Sequence, residues 1–330
     1  MRMKYNSNVP EILYWIDKSK VNSEVYVNSR KFSEKYNTDS RLSKSEKENL
    51  IYKEHIYIEK YELSEILDVV LKEFNFEPFG MGLELGAGCA AISVSLAKKF
   101  PHIKKIYAVE IVPDIVEFAQ VELIRLNSVD QVVVPVVGSF DSMQLKGESI
   151  DWIIEFDSLH HSFNLEVTAN EAFRVLKPNG KLIVIDRAHW NTRQKRLENL
   201  ESIAYSEEWL EQRGLDKKMR ITRSQNGEHE HLLSTYIEIF QKVGFRKTTW
   251  RQLISTDLNG LKISLINLVP WKLRAKTKYH YIQTWPIWLI LVPVLYMKIF
   301  NKSKLGNFVR LDRKFGSKRF HSKTIIQFTK

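Results

Sequence analysis

Cysteine is almost absent from this chain. The 330 residues include one, Cys89, so neither a disulfide framework nor a cluster of thiolate metal ligands can form within the chain. This composition is typical of a reducing compartment and predicts a cytoplasmic protein. The first twenty residues also lack an apolar stretch of signal-peptide length, and we expect no cleaved leader.

Acidic residues are nearly absent from the last part of the chain. From Lys272 to Lys330 there are 14 lysines and arginines and one acid, Asp312, which gives this basic segment a charge of +13. The whole chain carries +11, so the preceding residues are slightly acidic. Basic character confined to one segment argues against a nucleic-acid groove across the body of the protein. It predicts an anionic partner for the segment at 272–330.

A long unbroken apolar helix is missing as well. The 17 residues of Tyr281–Met297 carry no charge, but a membrane-spanning helix needs about 20 apolar residues, and Pro286 and Pro293 interrupt this run. Tryptophans and lysines around it suit the headgroup region of an anionic membrane. We therefore favour interfacial membrane contact. The alternatives are burial against protein or in a dimer, and a membrane span.

Short apolar strands alternate with amphipathic helices from Gly80 onwards. This order predicts a doubly wound α/β domain with a mainly parallel sheet, whose strands end together at the edge where ligands bind. We assign 80–258 to this domain, with a polar helical insert at 187–233. A helical extension at 1–79, including a short helix at Glu11–Lys18, is predicted to precede it and to cap the acceptor site. The basic, apolar-centred segment at 259–330 is predicted to follow it.

The stretch Leu83–Ser93, LELGAGCAAIS, joins the first of these strands to a helix. Gly86 and Gly88 allow main-chain N–H groups to approach a ligand at the positive end of the helix. Glu110 closes the second strand, 22 residues after Gly88. An acid at this position accepts hydrogen bonds from ribose hydroxyls. Ala91 stands where a dinucleotide motif has its third glycine, which disfavours a ligand with a pyrophosphate.

Five motifs in order resemble the class I S-adenosylmethionine-dependent methyltransferases, from about Met81 to Arg187. They are LELGAGCA, YAVEIVPDIVEFAQ, VVGSFDSM, IDWIIEFDSLHHSFN and EAFRVLKPNGKLIVID. The resemblance implies a Rossmann-like methyltransferase sheet, and S-adenosyl-L-methionine as the cofactor.

The resemblance also implies which residues surround the cofactor. The family usually has an acid directly after the glycine of the third-strand motif, whereas this chain has Ser139 there and its nearest acid is Asp141, so both remain candidates for the adenine amino group. The implied cofactor-binding residues are Glu84, Gly86, Ala87 and Gly88 for the methionyl part, Glu110 and Ile111 for the ribose, Ser139, Phe140 and Asp141 for the adenine, and Asp157 towards the methyl group.

Methyl transfer to a hydroxyl or amine needs a base beside the in-line acceptor. His160 and His161 follow the fourth strand and are the candidate bases, with Asp157 beside them; a structural or cofactor-proximal role is the alternative. Arg187 and His189 either line the acceptor pocket or belong to a surface loop.

The string Gly227–His231, GEHEH, contains two histidines and two acids. Because no third ligand is evident, we predict no metal site, and a place over the acceptor pocket is favoured.

Motifs that are missing from the chain narrow the range of possible methyl acceptors. Asp157–His160 reads DSLH where enzymes that methylate base nitrogens have Asp/Asn-Pro-Pro-Tyr/Phe, and Cys89 lies in the cofactor loop, poorly placed for carbon-5 pyrimidine chemistry. We expect an O or N atom of a small-molecule, lipid-linked or saccharide acceptor, with the enzyme peripheral on the inner face of a membrane and nucleic acid disfavoured. The alternatives are an RNA methyltransferase that uses the basic segment, and a non-catalytic scaffold.

Overall fold

A computed structural model describes residues 10–16, 63–162, 164–189, 194–211, 218, 220–255, 308–311 and 323–330. Its strands are β1 (Leu13–Tyr14), β2 (Gly80–Leu85), β3 (Ile103–Glu110), β4 (Val133–Val137), β5 (Ile150–Phe156), β6 (Leu176–Asp186), β7 (Ala188–His189), β8 (His231–Leu232), β9 (Lys247–Ser255), β10 (Phe308–Leu311) and β11 (Thr324–Thr329). Its helices are α1 (Leu63–Glu73), α2 (Ala91–Lys99), α3 (Val121–Leu126, entered through a π-helical turn at Ile115–Gln120), α4 (Leu165–Val175), α5 (Gln194–Glu201), α6 (Glu207–Glu211) and α7 (Leu233–Val243).

Nine of the described strands form one sheet in the order β1-β4-β3-β2-β5-β6-β11-β9-β10. The strands from β1 to β6 in this order are parallel to their neighbours, whereas β11 runs antiparallel to both β6 and β9. Neighbouring residues of β5 point to opposite faces: Trp152 and Ile154 pack on the side of α1, α2 and α3, and Ile153 packs on the side of α4 and α7. The doubly wound, mainly parallel fold predicted from the sequence is therefore confirmed.

The helix predicted at Glu11–Lys18 is wrong for the residues that the structure describes there. Leu13 and Tyr14 form a strand on the free edge of β4, and the Trp15 backbone N–H donates to the Val137 carbonyl at 2.8 Å. The Trp15 indole is buried, with its ring 5.7 Å from that of Tyr107. Main-chain pairing along an open sheet edge thus determines this segment. Helix α1 lies in the remainder of the predicted helical extension, and residues 17–62 lie outside the described residues.

The last strand in chain order, β11, lies between β6 and β9 and comes from residues that the sequence prediction assigned to the segment after 258. Ile325, Ile326 and Phe328 are fully buried, and the Phe328 ring stacks on Phe240 with 4.5 Å between their centroids. Burial of these apolar side chains is the reason why this end of the chain belongs to the domain.

The position of β11 changes where the basic segment attaches. Thr324 pairs with Asp186 at the end of β6 and with Gln252 near the end of β9. The connection at 256–322, called the inserted segment from here on, therefore leaves the sheet and rejoins it at the edge where the parallel strands end.

Most of the inserted segment lies outside the described residues, including the run at 281–297. Its residues 308–311 form β10 beside β9. Among the residues that are described, no helix has the length and apolar character needed to cross a membrane.

Candidate functional site

The turn after β2 lies at the edge of the sheet where the parallel strands end. Gly86 has φ +63°, and a Cβ atom there would lie 2.3 Å from the Ser158 Cβ, so only glycine fits. Gly88 has φ +51°, and a Cβ there would meet no atom of the described chain within 4 Å. The backbone at Gly88 thus borders open space, as a loop that cradles a ligand requires.

Glu84 holds this turn against α2. Its side chain is 2% exposed and accepts hydrogen bonds from the Ser93 backbone N–H, at 2.9 Å, and from the Ser93 hydroxyl. Burial raises the pKa of Glu84 to about 7, against the opposing effect of the Ser93 hydrogen bonds. Ala87 is buried, and its N–H donates to the Val109 carbonyl at 2.8 Å. These contacts give the turn its shape.

Glu110 ends β3 directly beside the turn. One carboxylate oxygen accepts from the Gly88 N–H at 3.0 Å, and the other accepts from the Val112 N–H at 3.1 Å, on the far side of Ile111. Burial raises the pKa of Glu110, and the main-chain hydrogen bonds oppose that shift. A carboxylate has about four lone-pair sites, so Glu110 can accept a further hydrogen bond. The residues present therefore fit a ribose whose hydroxyls donate to Glu110, next to the open space at Gly88.

The loop after β4 approaches the same turn. The Phe140 ring would lie 3.6 Å from a Cβ at Gly86. The Asp141 N–H donates to the Ser139 hydroxyl at 3.2 Å, and one Asp141 carboxylate oxygen accepts from the Thr168 hydroxyl. Burial raises the pKa of Asp141. Ser139 and Asp141 both stay candidates for the adenine amino group.

His160 and Asp186 form a buried pair where β5 and β6 end. The His160 Nδ1 lies 2.8 Å from one Asp186 carboxylate oxygen, and the His160 backbone N–H donates to the other at 2.8 Å. The Tyr236 hydroxyl and the Arg187 N–H also donate to Asp186, at 3.1 Å and 2.7 Å. An ionised carboxylate only accepts hydrogen bonds, so Nδ1 donates its proton to Asp186, and Nε2 can accept a proton whenever the ring is neutral.

Two carboxylates in this buried region have pKa values that are shifted in opposite directions. Burial alone raises the pKa of Asp186, but the charge and hydrogen bond of His160 outweigh it and the net shift is downward. Burial, followed by the charge of Asp186, raises the pKa of Glu155 to about 8. At neutral pH Asp186 is therefore ionised, because its contacts with His160 and Arg187 favour the charged form.

His161 differs from His160 in its surroundings. Burial and the neighbouring His160 lower the pKa of His161 to about 4. Its Nδ1 lies 3.2 Å from the Gly227 carbonyl, and no carboxylate among the described residues is hydrogen-bonded to its ring. Of the two histidines predicted as bases, His160 is the one that a carboxylate orients.

The GEHEH string lies over this edge and engages arginines. Arg187 pairs with Glu228 at 3.2 Å and with Glu230 at 3.3 Å, and Arg223 pairs with Glu230 at 2.8 Å. The backbone N–H of His229 donates to the carbonyl of His160 at 2.7 Å. The insert thus docks onto the loop that carries the histidine pair. The side chain of His189 lies outside the described residues.

Asp157 begins that loop with φ +56°, and its carboxylate contacts the ammonium of Lys323. Asp157, His160 and Asp186 lie close enough together to hold a metal ion. Asp157, however, already contacts Lys323, and Asp186 already accepts hydrogen bonds from the donors around it. Sequence reasoning missed Glu155, Asp186 and Lys323; the acid that ends the fifth predicted strand was the available signal for Asp186.

The buried Glu84 makes stability depend on pH. Because its folded pKa of about 7 lies above the unfolded value of about 4.5, folding favours the protonated acid, and the free energy of unfolding should fall as pH rises from about 4.5 to 7. Glu84→Gln should flatten this decline by roughly 2–3 kcal/mol. Urea titrations across this pH range, with the exposed Glu77→Gln as control, measure it. Parallel curves for Glu84→Gln and wild type would contradict the prediction.

This chain is similar in sequence to methyltransferases. A family model described as a methyltransferase domain matches residues 81–233. An uncharacterized methyltransferase-like protein of Schizosaccharomyces pombe is 29% identical over 139 residues, which are 42% of this chain and 49% of the relative. An uncharacterized methyltransferase of the same yeast is 28% identical over 214 residues, 63% of this chain and 74% of the relative. The match to the first of these thus spans about half of that relative's length.

Solved structures with a similar fold include two methyltransferases. Haemonchus contortus phosphoethanolamine N-methyltransferase 2, in complex with phosphomonomethylethanolamine and S-adenosylhomocysteine, has a TM-score of 0.47 at 14% identity, covering 88% of this chain and 58% of that one. A Thermotoga maritima SAM-dependent methyltransferase has a TM-score of 0.40 at 16% identity, covering 84% of this chain and 99% of that one.

The family match begins at β2 and includes the turn at Gly86, the acid at Glu110 and the histidine pair. Residues 81–233 therefore match a methyltransferase domain, and they lie in the doubly wound, mainly parallel sheet that the sequence predicted.

Proposed function

We propose that the protein transfers a methyl group from S-adenosylmethionine to an oxygen or nitrogen atom of a small-molecule, lipid-linked or saccharide acceptor. The observation that carries this proposal is the contact between His160 and Asp186 at 2.8 Å. It supplies an oriented proton acceptor at the edge of the sheet that also carries Glu110 and Gly88. Such a group serves an acceptor that loses a proton as it gains a methyl group.

The cofactor brings a methyl group already activated on a sulfonium. The residues of this chain hold the reactants and take up the proton. Nε2 of His160 accepts the proton from the hydroxyl or amine, and Asp186 stabilises the imidazolium that results. The buried hydrogen bonds to Asp186 keep the ring in one orientation, which contributes the positioning that this reaction needs.

Replacing His160 separates this role from cofactor binding. His160→Gln should lower methyl transfer by about 10²–10⁴-fold, because the base is lost, while calorimetry should show S-adenosylhomocysteine binding within about threefold of wild type. His161→Gln is the matched control and should retain most activity. Transfer of label from S-adenosyl-[methyl-³H]methionine into separate lipid, glycan and RNA fractions measures the activity.

Three results would count against the proposal. Label in the RNA fraction alone would replace the proposed acceptor with RNA. Cofactor binding without label in any fraction would favour a scaffold. Equal activity of His160→Gln and wild type would show that His160 is not the base.

The finer part of the proposal is that the enzyme works on the inner face of an anionic membrane. Both ends of the inserted segment lie at the ligand edge, at Ser255 and Lys323. Of the 14 basic residues from 272 to 330, the fold itself uses Lys323, and Lys330, which donates to two main-chain carbonyls. The other twelve supply the charge that would attract anionic lipid close to the site, at about 1 kcal/mol per residue near the surface.

Membrane contact should be tested in the full chain, because removing 272–330 would also remove β11. Neutralising Lys272, Arg274, Lys276 and Lys278 to glutamine should abolish flotation with phosphatidylglycerol vesicles, since the attraction is electrostatic. The matched control neutralises four exposed lysines elsewhere: Lys104, Lys146, Lys218 and Lys242. Flotation of wild type with pure phosphatidylcholine, or equal loss in both variants, would contradict a specific role for the segment.

A further inference from the structure

Lys323 is a buried ammonium at the ligand edge of the sheet. Its side chain is 2% exposed and lies against Asp157, whose side chain is 25% exposed. It directly precedes β11, and the hydroxyl of the next residue, Thr324, donates to the Ala188 carbonyl at 2.9 Å. The residue at which the inserted segment rejoins the sheet thus enters the candidate active site.

The partner of Lys323, Asp157, is in an unusual position. Its φ of +56° is in the left-handed region, and its backbone N–H donates to the Ile185 carbonyl at 2.9 Å. It starts the loop that leads to His160, whose Nδ1 lies 3.8 Å from the Asp157 carboxylate. Fixing the Asp157 side chain therefore also restrains the loop that presents the histidine.

The other cation near Asp157 is engaged elsewhere. The Arg187 Nε lies 3.8 Å from the Asp157 carboxylate, but the guanidinium pairs with Glu228 and Glu230. Lys323 is therefore the direct counter-charge of Asp157 within the described part of the chain. Burial lowers the pKa of Lys323 to about 7, and the charge of Glu155 opposes that shift.

We propose that Lys323 is a positioning residue of the methyltransferase site, whose ammonium neutralises Asp157 beside the methyl end of the cofactor and restrains the loop that carries His160. This inference rests on the proposed function, in which that edge receives the methyl group. The sulfonium is positive and its charge disperses as the methyl group moves to a neutral acceptor. A bare carboxylate next to it would stabilise the ground state more than the transition state, so the neutralised pair favours transfer.

The charge arrangement is measurable without knowing the acceptor. S-adenosylmethionine is positive at sulfur and S-adenosylhomocysteine is neutral there, so the ratio of their affinities reports the local charge. Lys323→Met should raise the preference for S-adenosylmethionine by about tenfold, because Asp157 loses its counter-charge. Asp157→Asn should lower that preference by a similar factor, because it removes the negative charge beside the Lys323 ammonium. The double variant should return close to wild type.

Calorimetry of both ligands at about pH 6, where the ammonium is protonated, gives the ratio. Lys330→Met is the matched control: it lies at the other end of β11, bonded to the Phe173 and Leu176 carbonyls, and its ratio should equal wild type.

Unchanged ratios in Lys323→Met and Asp157→Asn, with both ligands bound, would overturn the inference. If Lys323→Met does not fold, Asp157→Asn alone tests the inference. Its ratio of ligand affinities would equal that of wild type if Lys323 had only a structural role. Failure of wild type to bind either ligand would instead overturn the proposed function.

Discussion

The buried carboxylates where β5 and β6 end determine the geometry of the site. Glu155 accepts main-chain hydrogen bonds from Ser158, from Leu159 at 2.9 Å and from Ile185 at 3.2 Å. Asp186 accepts the main-chain and ring hydrogen bonds of His160. Burying two acids is costly unless their hydrogen bonds are satisfied. The loop from Asp157 to His161 therefore has few alternative conformations while these acids stay buried.

That constraint extends through one serine to the turn after β2. The Ser158 hydroxyl donates to the Leu85 carbonyl at 2.8 Å, and the same side chain fills the space that a Cβ on Gly86 would need. The turn at the end of β2 and the loop at the end of β5 consequently fix each other. Glu110, which contacts this turn through the Gly88 N–H, and His160, which the loop carries, are thus held in one packed unit, as the proposed catalysis by positioning requires.

The sequence was sufficient for the parts of the site that recur at fixed spacing. The glycines, Glu110 and the alternation of strands and helices gave the parallel sheet, and the resemblance gave the cofactor. Lys323 was beyond such reasoning because it follows β9 by more than sixty residues, in a segment whose basic composition obscured the short apolar alternation of β11. β1 is two residues long, too short for a period to be seen. Glu155 lies inside an apolar strand, where its contacts depend on the turn that follows.

The most direct test of the account is a crystal structure with S-adenosylhomocysteine bound to the full chain. The ribose hydroxyls should donate to Glu110, and the sulfur should lie on the side of the site formed by Asp157, His160 and Lys323. A ribose bound away from Glu110, or a sulfur that faces a different part of the sheet edge from the His160–Asp186 pair, would contradict it.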